Sequence, residues 1–332
     1  MHAHAPLFVE LSARSGFSLL DGACNPEDHA ERAAELDMPA LALTDSFDLG
    51  GVVRFTRACE AVGVRPIVGA EVRIEFGSLR LVLLCENRRG YHNLAALVNG
   101  ARLSGDRGFP RLDLPDLRRR SDGLLCLLMG DAAEPGAPGV AGTLPPLREL
   151  FAGPDRLHVA LEHHGLPADG RRCNRWIAFA DERDIPWIPV NAPRYARPRD
   201  RIACDVLTCL KHGVTLDEAG ELLRPNAEWH LKGAEAMAER WGKVPGGREA
   251  LVRTVEIADR CTFRVDDLEP KLPAFRVPGG QDPHDFLRGL VERGAEERYG
   301  AGFGEAHRRQ VEHELSVIRR LDLADYFLIM WD

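Results

Sequence analysis

An α/β barrel followed by helices is the fold the sequence predicts, and three observations carry it. Over the first ~195 residues, short apolar runs alternate with amphipathic stretches, the rhythm of strands that each feed a helix, with mostly parallel strands. About seven such runs favour a barrel over a two-layer sandwich. After about Ala196 the strand runs become scarce, and helical spacing with charged faces takes over.

The elements follow in order. Phe8–Leu11 is the first strand candidate. Asn25, Pro26, Glu27 and Asp28 read as N-cap, N1 proline and acidic first turn, launching a helix to about Asp37. Ala40–Thr44 reads as a buried strand that ends in Asp45, and Val52, Phe55, Cys59 and Val62 share one helical face. Pro66–Ile74 and Leu79–Leu84 are strands, and Tyr91–Leu103 is a helix. Further βα units centre on Leu124–Leu128, Leu147–Phe151, His158–Leu161, Asn174–Ala180 and Trp187–Val190, while Gly130–Gly142 reads as a surface excursion. Ile202–Leu210, Glu235–Trp241 and Gly247–Asp259 are helices, Pro270–Gly280 is a break, and Phe286–Arg298 and His307–Leu321 are helices again. The aromatic run Asp325–Asp332 needs a packing partner, so a further portion of chain is expected beyond it.

Composition narrows the function classes. Apolar runs such as Leu124–Met129 are far too short to span a bilayer, so no membrane partner is expected. The stretch Met1–Pro6 has neither the basic region nor the apolar core of a secretory signal. Eight cysteines are scattered without a CxxC pair, which points to a reduced, cytoplasmic setting. The net charge of −8 argues against a strong autonomous DNA binder. Basic clusters such as Arg118–Arg120 and Arg319-Arg320 read as solvated helix ends and loops. Gly50, Gly51 and Gly69 read as tight turns, because they lack the context of a phosphate-binding loop. His2 and His4 read as part of a terminal tail rather than as metal ligands. Ser12, Ser15 and Ser18 suggest no hydrolase triad.

Several motifs in one order resemble the bacterial class C DNA polymerases, the family of DNA polymerase III alpha subunits and error-prone DNA polymerases. Phe8–Gly22 resembles the first motif of the family's N-terminal PHP domain, Ala40–Gly51 the second and Pro66–Glu71 the third. Leu81–Leu94, Leu161–Leu166 and Ile188–Tyr195 keep the order, and so do Asp205–Leu210, His230–Lys232, Glu256–Cys261 and Glu314–Asp332. The resemblance implies a distorted (βα)7 PHP-type barrel over 1–195, a mostly helical connector over 196–280, and the truncated start of a polymerase palm over 281–332.

The PHP barrel of the family can carry nine ligands for a small metal cluster that activates water against a phosphoester. On this chain the resemblance places Asp21, Glu71 and His164 at three of those positions. Ser12, Arg14, Ser46, Arg80, Ala192 and Arg194 stand at the other six, and Asp45 remains beside Ser46 as a further cleft candidate. A guanidinium keeps its proton and cannot ligate a cation. Arg14, Arg80 and Arg194 are therefore expected to pair with Glu71, Asp21 or Asp45. No cofactor is expected in this chain, residual Zn²⁺ or Mn²⁺ binding included; Mg²⁺ would serve the full polymerase. His163-His164 reads foremost as a structural hydrogen bonder at a strand end.

The function implied is the N-terminal PHP portion of a DNA-directed DNA polymerase in replication or error-prone translesion synthesis and repair, with a structural and interaction role. Its expected partners are the downstream palm and fingers, DNA through the full-length enzyme, and replication or translesion accessory proteins. The rivals are an independent PHP phosphoesterase, which needs most of the ligand set, and a stand-alone binding module for a polymerase.

Overall fold

The computed structural model describes residues 8–74, 79–104, 110–130, 134–268 and 273–332. His2 and His4 lie outside the described residues. The chain forms two compact units, Met1–Leu268 and Glu269–Asp332.

In the first unit seven strands form one sheet in sequence order, nearly closed into a barrel. They are β1 (Glu10–Ala13), β2 (Ala40–Leu43), β3 (Arg65–Arg73), β4 (Arg80–Cys85), β5 (Leu124–Met129), β6 (Leu157–Glu162) and β7 (Trp187–Val190). Helices α1 (Pro26–Glu35), α2 (Val52–Ala61), α3 (Arg88–Ser104), α4 (Leu114–Arg119), α5 (Pro138–Leu150) and α6 (Asp169–Asp181) lie between the strands in sequence. Local chemistry starts these helices. The Asn25 backbone N–H donates to Asp28 Oδ2 (2.7 Å) at the start of α1, and Asp113 Oδ1 accepts from Asp116 N–H (2.8 Å) at the start of α4. Apolar residues from the helices, among them Ala30, Phe55, Leu94, Leu147 and Trp176, pack on the barrel's outer face.

Three details differ from the sequence reading. The strands are mostly parallel, but β4 runs antiparallel to both β3 and β5. The separation between β3, which ends at Arg73, and β4, which begins at Arg80, is too short for the helical crossover that a parallel neighbour requires. Leu147–Phe151 falls at the end of α5, and that helix takes up the second half of the Gly130–Gly142 excursion from Pro138 onward. The first strand is Glu10–Ala13 rather than Phe8–Leu11.

The barrel interior is apolar, built from Val9, Leu11, Ile67, Val82, Leu84, Leu125, Leu127, Ile188 and Val190 among others. After β7 come α7 (Arg201–His212), α8 (Leu216–Ala219), α9 (Ala234–Trp241) and α10 (Gly247–Arg260), all within the first unit. Helix α10 stops the end of the barrel where the parallel strands begin: Ile257, Ala258 and nearby Cys261 join the interior cluster. Thr254 Oγ1 there accepts from Val9 N–H (3.0 Å).

Strands β1 and β7 meet without a regular ladder. Their seam is bridged by Asn191 N–H donating to Glu10 Oε2 (2.8 Å) and Arg14 N–H donating to Pro193 O (3.0 Å).

The second unit comprises α11 (Pro283–Tyr299), α12 (Glu305–Arg320) and α13 (Ala324–Trp331). Leu287, Leu315, Ala324 and Leu328 form its core, and Asp325 Oδ1 accepts from Phe275 N–H (2.9 Å). Tyr326, Phe327, Ile329, Met330 and Trp331 of α13 stay exposed.

Candidate functional site at the barrel mouth

Parallel barrels gather functional side chains where their strands end, because the loops that follow the strands converge there. The residues singled out from the sequence meet at this end. Arg14 follows β1, Asp45 and Ser46 follow β2, Glu71 lies late in β3, Arg80 opens the reversed β4, His164 follows β6, and Ala192 and Arg194 follow β7. Asp21 is carried by a tight loop after β1, in which Asp21 N–H donates to Ser18 O (2.9 Å). The next residue has to be glycine, since a Cβ on Gly22 would stand 1.9 Å from Ser15 O.

Arginines and carboxylates alternate across the mouth. Arg14 pairs with both Asp21 and Glu71. Arg80 Nη1 reaches Glu71 Oε2 at 2.9 Å, and its Nη2 reaches Glu162 Oε1 at 2.5 Å. Asp21 also receives Arg194 Nε and Arg224 Nη2, each at 3.2 Å. Arg14, Arg80, Arg194 and Glu71 are all 5% exposed or less, so the pairs on Glu71 are shielded from water, while Asp21 and Arg224 keep partly exposed side chains. Burial alone would raise the Asp21 carboxyl, but Arg194, Arg14 and Arg224 together hold it well below the usual carboxylate range. Burial likewise works against the Glu162 charge, and Arg80 with its neighbours outweighs it. Arg14 feels burial first and the adjacent Arg194 second, and its guanidinium is pushed down to about 9.

Asp45 takes its hydrogen bonds from serines. Its carboxylate accepts from Ser15 N–H and Oγ–H, both at 2.7 Å, and from Ser18 Oγ–H at 2.6 Å, while burial raises it to about 6. Ser12 donates through N–H (3.0 Å) and Oγ–H (3.2 Å) to Glu10, and Ser46 N–H donates to Ser18 Oγ (3.0 Å). Ala192 is buried with φ at +45°, a left-handed conformation that costs an L-residue energy.

His164 Nε2 lies 2.9 Å from Asn191 O, a carbonyl that can only accept, so this nitrogen carries the proton. Burial pushes the imidazole down to about 4, which keeps it neutral at pH 7. Its ring stacks on Trp229, with centroids 4.0 Å apart and planes 21° from parallel.

Residues 224–232 cross the mouth. Arg224 stands on Asp21 and lies over the Trp229 ring at 4.8 Å, and Asn226 Nδ2 donates to His164 O (2.8 Å). Arg194 N–H donates to Trp229 O (2.8 Å), and Leu231 N–H donates to Tyr195 O (3.1 Å).

This donor set does not fit a divalent metal cluster. Glu71 and Asp21 are engaged by guanidiniums, and His164 Nε2 donates to the Asn191 carbonyl. Among the described residues, no group of three or more His, Cys, Asp or Glu side chains is placed to hold a metal ion.

The sequence reading had not singled out Glu10, Glu162, Asn191, Arg224, Trp229 or Lys232. Glu10, Glu162, Asn191 and Lys232 sit inside the quoted motifs Phe8–Gly22, Leu161–Leu166, Ile188–Tyr195 and His230–Lys232, which is a usable signal. Nothing local marks Arg224, about 200 residues from the carboxylate it meets.

Comparison with known proteins locates two domains. The PHP domain family matches residues 10–161, and the family described as the bacterial DNA polymerase III alpha NTPase domain matches residues 285–332. The error-prone DNA polymerase of Pseudomonas aeruginosa is 36% identical over 327 residues, covering 98% of this chain and 30% of that protein. The error-prone DNA polymerase of Mycobacterium tuberculosis strain H37Rv is 34% identical over 345 residues, covering 98% of this chain and 31% of that one. The chain thus spans under a third of the length of these relatives. Among solved structures, an amidohydrolase from Chromobacterium violaceum aligns with a TM-score of 0.42 and 15% identity over 55% of this chain and 86% of that chain.

Proposed function

We propose that this chain, a homologue of the error-prone DNA polymerases that carries a PHP domain and the first residues of a polymerase III alpha domain, is the N-terminal part of a DNA-directed DNA polymerase whose barrel is a scaffold and not a nuclease. The observation that carries this reading is the arginine–carboxylate network. Arg14, Arg80 and Arg194 stand where the family's cluster would need ligands, and each is paired with an acid that would otherwise hold a cation. Fixed positive charge repels a divalent ion, so the vestigial positions Asp21, Glu71 and His164 do not make a water-activating site.

In this reading residues 1–195 are the barrel, 196–280 the connector and 281–332 the start of the palm. Helices α7–α10 pack in the same compact unit as the strands, which makes the connector part of the scaffold. DNA would be engaged by the full-length enzyme, in replication or damage-tolerant synthesis in the cytoplasm, with accessory proteins of those processes as partners. Mg²⁺ would serve the polymerase centre, and the barrel would take no metal.

The test uses the purified chain with bis-p-nitrophenyl phosphate in Mn²⁺ or Zn²⁺, and separately with a primed template in Mg²⁺ and deoxynucleotides. The expected result is no hydrolysis above buffer and no primer extension. Robust metal-dependent hydrolysis that Glu71→Ala abolishes would refute the scaffold reading.

A further inference from the structure

The segment that crosses the barrel mouth is held in an unusual way. Besides its short backbone pairing with Arg194 and Tyr195, much of its attachment runs through the side chain of one residue, Asn191. Asn191 Nδ2 donates to Glu228 O (2.8 Å) and to His230 O (2.7 Å). Its Oδ1 accepts from Lys232 Nζ (3.2 Å), and that ammonium also bonds Glu228 O (2.5 Å).

The backbone of Asn191 does different work. Its N–H bridges the β1–β7 seam to Glu10, and its carbonyl takes the His164 proton. The side chain therefore serves the crossing segment, while the main chain serves the barrel. A second bond from the segment, Asn226 Nδ2 to His164 O, is independent of Asn191.

The segment is packed on one side and open on another. A groove of about 330 Å³ runs alongside it, lined by Leu20, Leu166, Thr208, Leu222 and Arg224 among others, and Pro225 is exposed. Under the segment lie two of the three positions that keep the family's residue type: Arg224 sits on Asp21 and Trp229 on His164.

We propose that residues 224–232 form a strap latched by the Asn191 side chain, which covers the His164 side of the barrel mouth and can leave it while the strands stay folded. Local opening of this kind breaks these polar contacts and also withdraws Trp229 from Tyr195 and Cys204 and Leu231 from the main core, a sub-global step that leaves the strand ladders paired. With the strap off, solvent reaches His164 and more of Asp21, whose side chain is already 24% exposed with the strap on. With it on, the mouth is occupied by the chain's own residues.

Asn191→Ala in the full chain tests the latch, because it removes three side-chain bonds and leaves the backbone bonds to Glu10 and His164 available. Amide hydrogen exchange read by mass spectrometry should rise tenfold or more across 224–232, with Leu41–Leu43 and Leu125–Leu128 unchanged. Asn226→Ala, which removes one bond from the outer half of the strap, should give a smaller rise confined to the same segment. Unchanged exchange at 224–232 in Asn191→Ala would overturn the latch, whatever Asn226→Ala does. Exchange that rises equally in the strap and in β2 and β5 would overturn independent release, since the strap would then unfold only with the barrel. Should Asn191→Ala fail to fold, Asn191→Asp, which keeps an acceptor for Lys232 and loses both donor bonds to Glu228 and His230, decides by the same criteria.

Discussion

At the end of the barrel where the parallel strands start, Ile257, Ala258 and Cys261 close the interior with hydrocarbon and a thiol. At the other end, about the length of one strand away, Arg14, Arg80, Arg194, Asp21, Glu71 and Glu162 close it with charge. The two solutions differ in energetics. Burying an aliphatic side chain contributes about 1.5–3 kcal/mol with no demand on orientation. Burying an ion costs several kcal/mol, which its partners offset only if the geometry is good. The apolar end therefore stabilises the barrel in any approximate packing, whereas the charged end is sensitive to the loss of any single member. A mouth closed in this second way has its carboxylates occupied by the chain's own guanidiniums.

Removing one charge at the mouth gives the largest effect. Glu71 is 2% exposed and touches two guanidiniums, so Glu71→Ala leaves Arg14 and Arg80 each short of a partner. Destabilisation of about 3–5 kcal/mol is expected, read by urea unfolding of the first unit's signal. The fourfold change Glu71→Leu, Arg14→Met, Arg80→Met, Glu162→Met should recover most of that loss, because it removes the uncompensated charges together with Glu162, whose guanidinium partner is Arg80, and leaves Asp21 its pairs with Arg194 and Arg224. If Glu71→Ala costs under about 1 kcal/mol, the pairs are solvated and the contrast between the two ends disappears.

The apolar end was the more legible in the sequence. Runs such as Ala40–Leu43 and Leu124–Met129 announce buried strands by composition alone. Direction was not legible: every residue of β4 is buried, so the run has no alternation and looks the same in either orientation. At the mouth, motif register placed Arg14, Arg80 and Arg194 at cleft positions and offered Glu71, Asp21 and Asp45 as partners, of which Glu71 and Asp21 take the guanidiniums and Asp45 takes serines instead. Glu162 and Arg224 become partners only through the fold, and Trp229, which caps His164, is a single aromatic in a loop with no periodic signal.

Acid–base behaviour sharpens the comparison at intermediate magnitude. Burial raises the Glu10 carboxyl from 4.5 to about 7, even though Asn191 N–H, Ser12 N–H and the Ser12 hydroxyl all favour the charged form. The folded value lies above the unfolded one, so the folded chain binds the proton more tightly. The stability this contributes is fully present below pH 4.5 and is lost as pH rises through 7, an amount of about 3 kcal/mol for such a shift. Asp45, raised to about 6, adds a loss of the same sign at slightly lower pH. Glu10→Gln should reduce the decline in unfolding free energy between pH 5 and pH 8 by about that amount, leaving the share due to Asp45. Equal slopes for the two proteins would mean that Glu10 is solvated and that the β1–β7 seam is open.

The smallest effect belongs to the apolar end, and its smallness is the point. Ile257 is 1% exposed and stands among Val9, Leu11, Ile67 and Ile188, with no polar group dependent on it. Ile257→Val removes one methylene and leaves a cavity below the size of a water molecule. The cost should be about 0.5–1.5 kcal/mol, the transfer of that group plus incomplete collapse around it. Because nothing charged is exposed by the change, the loss should be the same at pH 5 and pH 8 and indifferent to salt. Urea unfolding at both pH values checks this. A loss that varied with pH would tie α10 electrostatically to the mouth, and the two ends of the barrel would then have to be treated as one coupled unit.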